Sequence, residues 1–229
     1  MKLTKDTLNI LKNFATINPG VMLKPGNFIM TRAINGTTYS EATINDEIDI
    51  EVALYDLNSF LSILSLVSED AEISLSADGN IKIADARSKI YWPSADPSTI
   101  VFPNKPIPFP VASVITEIKA EDLQQLMRVS RGLQIDTIAI TNKDGKLVLN
   151  GFNKVEDSGL TRAKYSLTLG DYDGENNFNF VINMGNMKMV PANYKLMLWA
   201  AEKRYAAKFE GDHVSYVIAM EADSTHDFE

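Results

Sequence analysis

The placement of proline restricts the fold of this chain more than any other feature. Six of its nine prolines lie in one stretch, YWPSADPSTIVFPNKPIPFPV, between Pro93 and Pro110. Proline has no backbone N–H and a fixed φ, so this density excludes a helix interior and a central strand. The stretch therefore predicts a connector from about residue 93, and we place the domain boundary at its end, giving domains 1–110 and 111–229.

On each side of the connector one pattern occurs twice, a helix followed by strands that Gly or Asn turns separate. The first domain has predicted helices over about 4–17 and 55–67, and each precedes a three-strand meander. The second domain has a predicted helix over 120–132 and a short one around 183–189 that Pro191 ends, followed by hairpins. The sequence therefore predicts an α+β chain of two similar domains with two helices each.

Composition excludes several classes of chemistry. The 229 residues contain no cysteine, which removes disulfides, thiolate nucleophiles and cysteine-based metal sites. The N-terminal segment MKLTKDTLNILKNF lacks the continuous apolar run of a signal peptide, and no segment approaches the roughly 20 apolar residues of a membrane span. We expect an intracellular protein without a membrane partner.

The charge distribution leaves room for one local basic surface. The net charge of -8 argues against a surface that binds nucleic acid everywhere. Yet the first predicted helix has a polar stripe with two lysines and no acid, and the helix at 120–132 has a stripe with two arginines. These stripes are Lys5, Asn9, Lys12 and Thr16 on the first helix, and Gln124, Arg128 and Arg131 on the other.

Two interpretations of the stripes remain open. Glu121 and Asp122 begin the helix at 120–132 and its arginines end it, an order that the helix macrodipole alone explains. The predicted short helix adds Asn183, Asn186 and Lys188, whereas the helix at 55–67 exposes only Asn and Ser after Asp56. Basic or neutral free faces on all four helices favour a shared surface that faces phosphates without reading sequence.

Catalytic and metal-binding motifs are weak. In GDYDGENN, Asp171, Asp173 and Glu175 suggest a calcium loop or a carboxylate pair, but Gly occupies the fourth position and the twelfth lacks Glu. His213 follows a turn and His226 lies in a tail that we expect to be frayed, so they form neither a triad nor a metal site. We predict no enzyme activity, no cofactor and no metal, and keep a carboxylate hydrolase and a protein-interaction module as alternatives.

Four segments of the chain are distinctive: GLQIDTIAIT, NGFNKVEDSGLTRAKYSLTLGDYDG, YDLNSFLSILSLVSEDAEIS and EADSTHDF. Together with the order of the units from MKLTKDT to the C-terminus, they resemble the sliding clamps of T-even-type bacteriophages, which are DNA polymerase processivity factors. The resemblance implies a DNA-clamp fold in which two helices per domain pack on antiparallel sheets, and three subunits that assemble into a ring around duplex DNA.

The resemblance also implies sites and partners. The DNA-facing rim would contain Lys5, Asn9, Lys12, Gln124, Arg128, Arg131 and Lys188. A pocket for partner peptides would involve Ile107, Pro108, Phe109, Val217 and Ile218, although each is also an ordinary core residue type. Subunits would meet edge to edge, RSKIYW against TRAKYSL, at Tyr91, Trp92, Arg162 and Lys164. Implied partners are the replicative DNA polymerase, an ATP-driven clamp loader and late-transcription factors, in the cytoplasm of an infected bacterium.

Overall fold

Two units, Met1–Ile107 and Pro108–Glu229, make up the chain, and the computed structural model describes residues 1–68 and 70–228. The boundary predicted at residue 110 lies three residues from the division between these units. The first unit contains α1 (Lys5–Ile17), β1 (Val21–Leu23), β2 (Gly26–Arg32), β3 (Thr38–Ile48), β4 (Val52–Leu54), α2 (Leu57–Leu64), β5 (Glu72–Leu75), β6 (Ile81–Ala84) and β7 (Lys89–Trp92).

Local sequence determines both ends of α1. The Thr4 side chain accepts a hydrogen bond from the backbone N–H of Thr7 and caps the N-terminus. At the other end Pro19 disfavours the helical region for the residue before it, and Asn18 is extended at φ -145° and ψ 130°. Between these ends the apolar stripe, including Leu11 and Phe14, is buried as its period predicts.

The first predicted meander is wrong in one strand pairing. Strands β2 and β3 form a hairpin, but β1 pairs antiparallel with β4, Val21 lying opposite Leu54. Pro25 and the positive φ of Gly26 (119°) turn the chain sharply between β1 and β2. The second meander is confirmed as the three-stranded sheet β5-β6-β7.

In the second unit, residues 108–228 form one α-helix and antiparallel sheets. Strands β11, β10, β9, β12 and β16 pair in that order, and β8, β13, β14 and β15 pair in the order given. The elements are β8 (Val114–Ile118), α3 (Ala120–Leu133), β9 (Thr137–Lys143), β10 (Lys146–Phe152), β11 (Tyr165–Asp171), β12 (Phe178–Asn183), β13 (Tyr194–Ala201), β14 (Arg204–Glu210), β15 (Val214–Ala219) and β16 (Thr225–His226).

The predicted short helix around 183–189 is a 3₁₀ turn, Met184–Asn186. The Asn183 side chain accepts from the backbone N–H of Gly185 at 2.8 Å, which stabilises a turn over a continued helix. Within the described residues the chain therefore has three α-helices, two in the first unit and one in the second.

The C-terminal segment is ordered rather than frayed. Strand β16 pairs with β12, His226 lying opposite Phe178. The ring of Phe228 stacks on those of Phe178 and His226. The prediction of a frayed tail is therefore wrong, because aromatic packing provides apolar contacts that compensate for the cost of ordering a chain end.

None of the helices in the described part of the chain has the length and apolar content needed to cross a bilayer.

Candidate nucleic-acid interface

The exposed face of α1 brings together three of the predicted DNA-facing residues. Lys5, Asn9 and Lys12 are all exposed, on the side opposite the buried stripe. They line one groove of about 790 Å³, together with apolar residues such as Leu8 and Leu64. This face thus presents two cations and an amide at a concave surface of the first unit that Asp6 and Asp46 also line.

Helix α3 presents the second cationic stripe. Gln124, Arg128 and Arg131 are exposed, while the opposite face, with Leu123 and Leu126, is fully buried. The Arg128 Nη2 donates to the Gln124 Oε1 at 3.4 Å, so the amide orients a guanidinium one turn away. The stripe predicted from the helical period is therefore exposed as a continuous polar surface.

The N-terminus of α3 does not depend on this stripe for its capping. Lys119 at the N-cap makes no side-chain capping bond, and instead the Asn193 Oδ1 accepts from the backbone N–H of Ala120 at 2.8 Å. Glu121 and Asp122 complement the macrodipole in the first turn and Arg131 in the last. The helix dipole explains the position of Arg131 in the last turn. It does not explain Arg128, which lies before the last turn.

The other two predicted helices do not present a cation on a helical face. Lys188 is exposed but lies beyond the 3₁₀ turn, between the buried Met187 and Met189, so its presentation on a helix is wrong. Helix α2 exposes Asn58, Ser59 and Ser62 and contributes no cation. Asp56 caps it by accepting from Ser59, and this hydrogen bonding lowers the pKa of the carboxyl.

The strands predicted to join subunits lie at sheet edges. Strand β7 is the last strand of its three-stranded sheet, and β11 is the last of its five-stranded sheet. An edge strand presents unpaired backbone groups that another chain can pair with. On β7, Tyr91 is 58% exposed, while Trp92 is half-buried, its ring edge-to-face with that of Phe60 at 5.9 Å.

A structured loop leads into β11. The Asp157 Oδ2 accepts from the backbone N–H groups of Thr161 and Arg162, at 2.7 and 2.6 Å. Lys164 forms an ion pair with Glu156, Nζ to Oε2 at 2.5 Å. Both Arg162 and Lys164 remain exposed and border the edge strand.

The predicted partner-pocket residues differ in exposure. Ile107 is 43% exposed and Pro108 is exposed, whereas Phe109 and Val217 are half-buried. Ile218 is fully buried in β15, so its side chain packs in the core and presents no surface to a partner. Sequence alone did not separate Val217 from Ile218, although strand alternation predicts that one of any two neighbours faces inward.

The carboxylate motif has a structural explanation. Asp171 pairs with Lys146 across the β10–β11 ladder. In residues 1–68 and 70–228, no group of three or more His, Asp or Glu side chains is arranged to hold a metal ion.

His226 Nε2 contacts the Glu202 carbonyl at 3.2 Å, and its Nδ1 accepts from the backbone N–H of Phe228 at 3.2 Å. These contacts hold the C-terminal segment in place.

Solved structures define the class of fold. The chain is similar to the proliferating cellular nuclear antigen of Entamoeba histolytica, at 11% identity over 93% of this chain and 94% of that one, with a TM-score of 0.63. It is equally similar to A. fulgidus PCNA in complex with the C-terminal region of FEN-1, at 11% identity over 93% and 94% of the two chains, with a TM-score of 0.64. The fold is therefore the α+β DNA-clamp fold.

Sequence comparisons identify the family. A family model described as DNA polymerase processivity factor matches residues 4–102, and one described as gp45 sliding clamp, C terminal, matches residues 115–222. The sliding clamps of Escherichia phage RB69 and Enterobacteria phage T4 are 80% and 78% identical to this chain over 228 residues, covering 100% of each chain. The sliding clamp of Vibrio phage KVP40 is 27% identical over 97% of this chain and 100% of its own. The chain belongs to the sliding clamp family of DNA polymerase processivity factors.

Proposed function

We propose that three copies of this chain close into a ring around duplex DNA and tether the replicative DNA polymerase to its template. The observation that carries the proposal is the exposed cationic stripe on α1 and α3, in a family member whose net charge is -8. Lysine and arginine reach phosphates of any sequence, so such a surface centres a duplex without selecting a site.

Low affinity is part of this mechanism. A ring is retained on DNA by its topology, so its cations need only keep the duplex centred. Tight or base-specific contacts would stop the ring from sliding. The acids on the other surfaces keep DNA from adhering outside the ring.

Edge-to-edge pairing of β7 of one subunit with β11 of the next would close the ring. Both strands lie at the edge of their sheets, with Tyr91, Arg162 and Lys164 exposed. Head-to-tail pairing of two different edges closes into a cyclic assembly when the rotation between subunits fits. We therefore propose Tyr91, Trp92, Arg162 and Lys164 as the interface.

Loading a closed ring onto DNA requires a protein that opens it, and holding the polymerase requires a surface on which the polymerase docks. We propose an ATP-driven clamp loader as the opener, and the replicative polymerase and late-transcription factors as partners that insert peptides beside the connector at Ile107, Pro108, Phe109 and Val217. The clamp catalyses no reaction in this scheme. Its place of action is the cytoplasm of the infected bacterium.

The test is retention on DNA of different topology. The chain is loaded onto nicked circular DNA by the phage clamp loader with ATP, and the circle is then linearised. We expect the protein to remain on the circle and to leave the linear molecule through its ends. Equal retention on both, or binding without loader and ATP, would contradict encirclement.

Solution mass provides an independent check. A species of about 76 kDa, three times the 25.4 kDa chain, is expected in sedimentation equilibrium. A monomer at every concentration would remove the ring and favour the protein-interaction module instead.

A further inference from the structure

The end of α1 and the proline-rich connector meet at one buried amide. Asn18 is the C-cap of α1 and is 3% exposed. Its Nδ2 donates to the carbonyl of Val101 at 2.7 Å and to the carbonyl of Arg32 at 2.8 Å. Its Oδ1 accepts from the backbone N–H of Gly20 at 2.9 Å.

These three bonds fix the orientation of the amide without ambiguity. Both N–H groups of Nδ2 point at carbonyl oxygens, and Oδ1 meets an N–H, so a flipped amide would oppose every partner. Because the group is buried, water does not compete for the bonds, and a lost partner leaves a polar group unsatisfied. Asn18 therefore determines where the backbone at Val101 lies relative to α1.

Other contacts hold the same segment along its length. Ala95 forms a bridge with Ala53, and a Cβ on Gly20 would lie only 2.9 Å from the Ile100 Cγ2, so that backbone packs directly on Ile100. The ammonium of Lys24 lies over the Phe102 ring, 5.8 Å from its centroid. At the end of the unit, the backbone of Ile107 lies close to the Tyr39 hydroxyl, which donates to the Glu41 Oε2 at 2.6 Å.

We propose that Asn18 is a positioning residue for partner binding, holding connector residues 100–107 in a preformed conformation against the first unit. The inference rests on the proposed docking of partner peptides beside the connector. A preformed connector loses little conformational entropy on binding, whereas a loosened one must be ordered by each partner. Asn18 thereby sets the affinity of partners without contacting them.

The test compares Asn18→Ala with Leu11→Ala, a core variant of the same helix whose side chain is 1% exposed. The probe is a synthetic peptide with the C-terminal sequence of the phage's own polymerase. Asn18→Ala is expected to raise amide hydrogen exchange in residues 100–107 and to weaken peptide binding about tenfold, the effect of losing buried hydrogen bonds. Leu11→Ala is expected to lower the unfolding temperature while leaving the exchange of that segment and the peptide Kd unchanged.

Gly20→Ala covers the case in which Asn18→Ala fails to fold. The added Cβ displaces Ile100 while Asn18 keeps its own side chain, so a smaller loss of peptide affinity in the same direction is expected. Failure of the wild-type chain to bind the peptide would overturn the proposed docking site. Binding by the wild type with unchanged affinity in both the Asn18 and the Gly20 variant would overturn the role of Asn18 alone.

Discussion

At the scale of single residues, the glycine near the end of α3 lies two positions before the residue that adopts the left-handed conformation. Gly132 lies inside the helix, where glycine costs about 1 kcal/mol relative to alanine. Gln134 instead occupies the left-handed C-cap, at φ 54° and ψ 42°, a conformation that glycine adopts at no steric cost. The left-handed conformation of Gln134 turns the chain back on the helix, so that the backbone N–H of Ile135 donates to the carbonyl of Ser130 at 2.8 Å.

We expect Gly132→Ala and Gln134→Gly each to raise the free energy of unfolding by roughly 0.5–1 kcal/mol. A Cβ at Gly132 meets no atom within 4 Å, so the alanine fits without strain. Urea unfolding at one fixed protein concentration measures the change, because self-association adds to apparent stability. Gln134→Ala is the control and should give no gain, since alanine keeps the cost of the left-handed conformation; a gain as large as that of Gln134→Gly would contradict the explanation.

The polar stripes were predictable from sequence, but Asn18 was not. The helical period places Lys5, Lys12 and Arg128 on free faces using only the spacing of apolar neighbours. Asn18 bonds to Val101, 83 residues away, and no local pattern carries information about that partner. Likewise, the sequence did not show which face of β15 packs inward, so it did not predict that Ile218 is buried and Val217 only half-buried.

At the scale of elements, strand existence was easier to predict than strand pairing. The Asp-Gly turn between β9 and β10 was evident, and both Asp144 and Gly145 have positive φ as that hairpin turn requires. The pairing of β1 with β4 was missed because two three-residue strands, separated by a hairpin, leave no periodic signal. The missed 3₁₀ turn at 184–186 has a similar cause, since its apolar spacing resembles one helical turn.

Edge strand β7 leads to a prediction about assembly. Tyr91→Asp places a charge on an exposed side chain of the edge, so the chain should fold but no longer pair with a second edge. We expect sedimentation equilibrium to give the 25.4 kDa monomer in place of the 76 kDa species.

The matched control for this variant is Tyr55→Asp, the same substitution at a tyrosine of the same unit that is 66% exposed and lies before α2. It should leave the mass at about 76 kDa, three times the 25.4 kDa chain. Dissociation of both variants, or of neither, would remove β7 from the interface.

The loop before β11 leads to a prediction about pH. Hydrogen bonds from the backbone of Arg162 and from Thr161 lower the pKa of Asp157 below its ordinary 3.8. A lowered pKa contributes stability that is fully present above the ordinary value and is lost as pH falls through the value in the folded protein. We therefore expect Asp157→Asn to lower the unfolding temperature at neutral pH, with the difference from wild type shrinking below about pH 4.

Asp173→Asn is the comparison for the pH series, because Asp173 is an exposed aspartate outside that loop, in the connection between β11 and β12. It removes one negative charge without touching the loop at 153–164. Thermal unfolding of all three chains between pH 3 and 7 separates the two effects. If both variants follow the same profile, the hydrogen bonds of Asp157 do not stabilise the loop.

At the scale of the whole molecule, an acidic chain carries cations on the free faces of two helices. The two units carry similar excesses of acid, yet α1 and α3 turn cations outward on their free faces. If these faces line the hole of the ring, reversing their charge should act on DNA and not on assembly. The double variant Lys12→Glu with Arg128→Glu changes the net charge from -8 to -12, two cations being replaced by two acids.

We expect this double variant to keep the 76 kDa mass of three 25.4 kDa chains and to be loaded and retained poorly on nicked circular DNA. Lys143→Glu with Lys203→Glu is the matched control, since it gives the same net charge from exposed positions near the tips of hairpins. Retention half-lives of the wild type and both variants are measured on the same DNA at several salt concentrations. If the helix variant is impaired and the hairpin variant is not, the position of the charge matters and its total does not. Equal impairment of the two would instead attribute the effect to net charge and remove α1 and α3 from the DNA-facing surface.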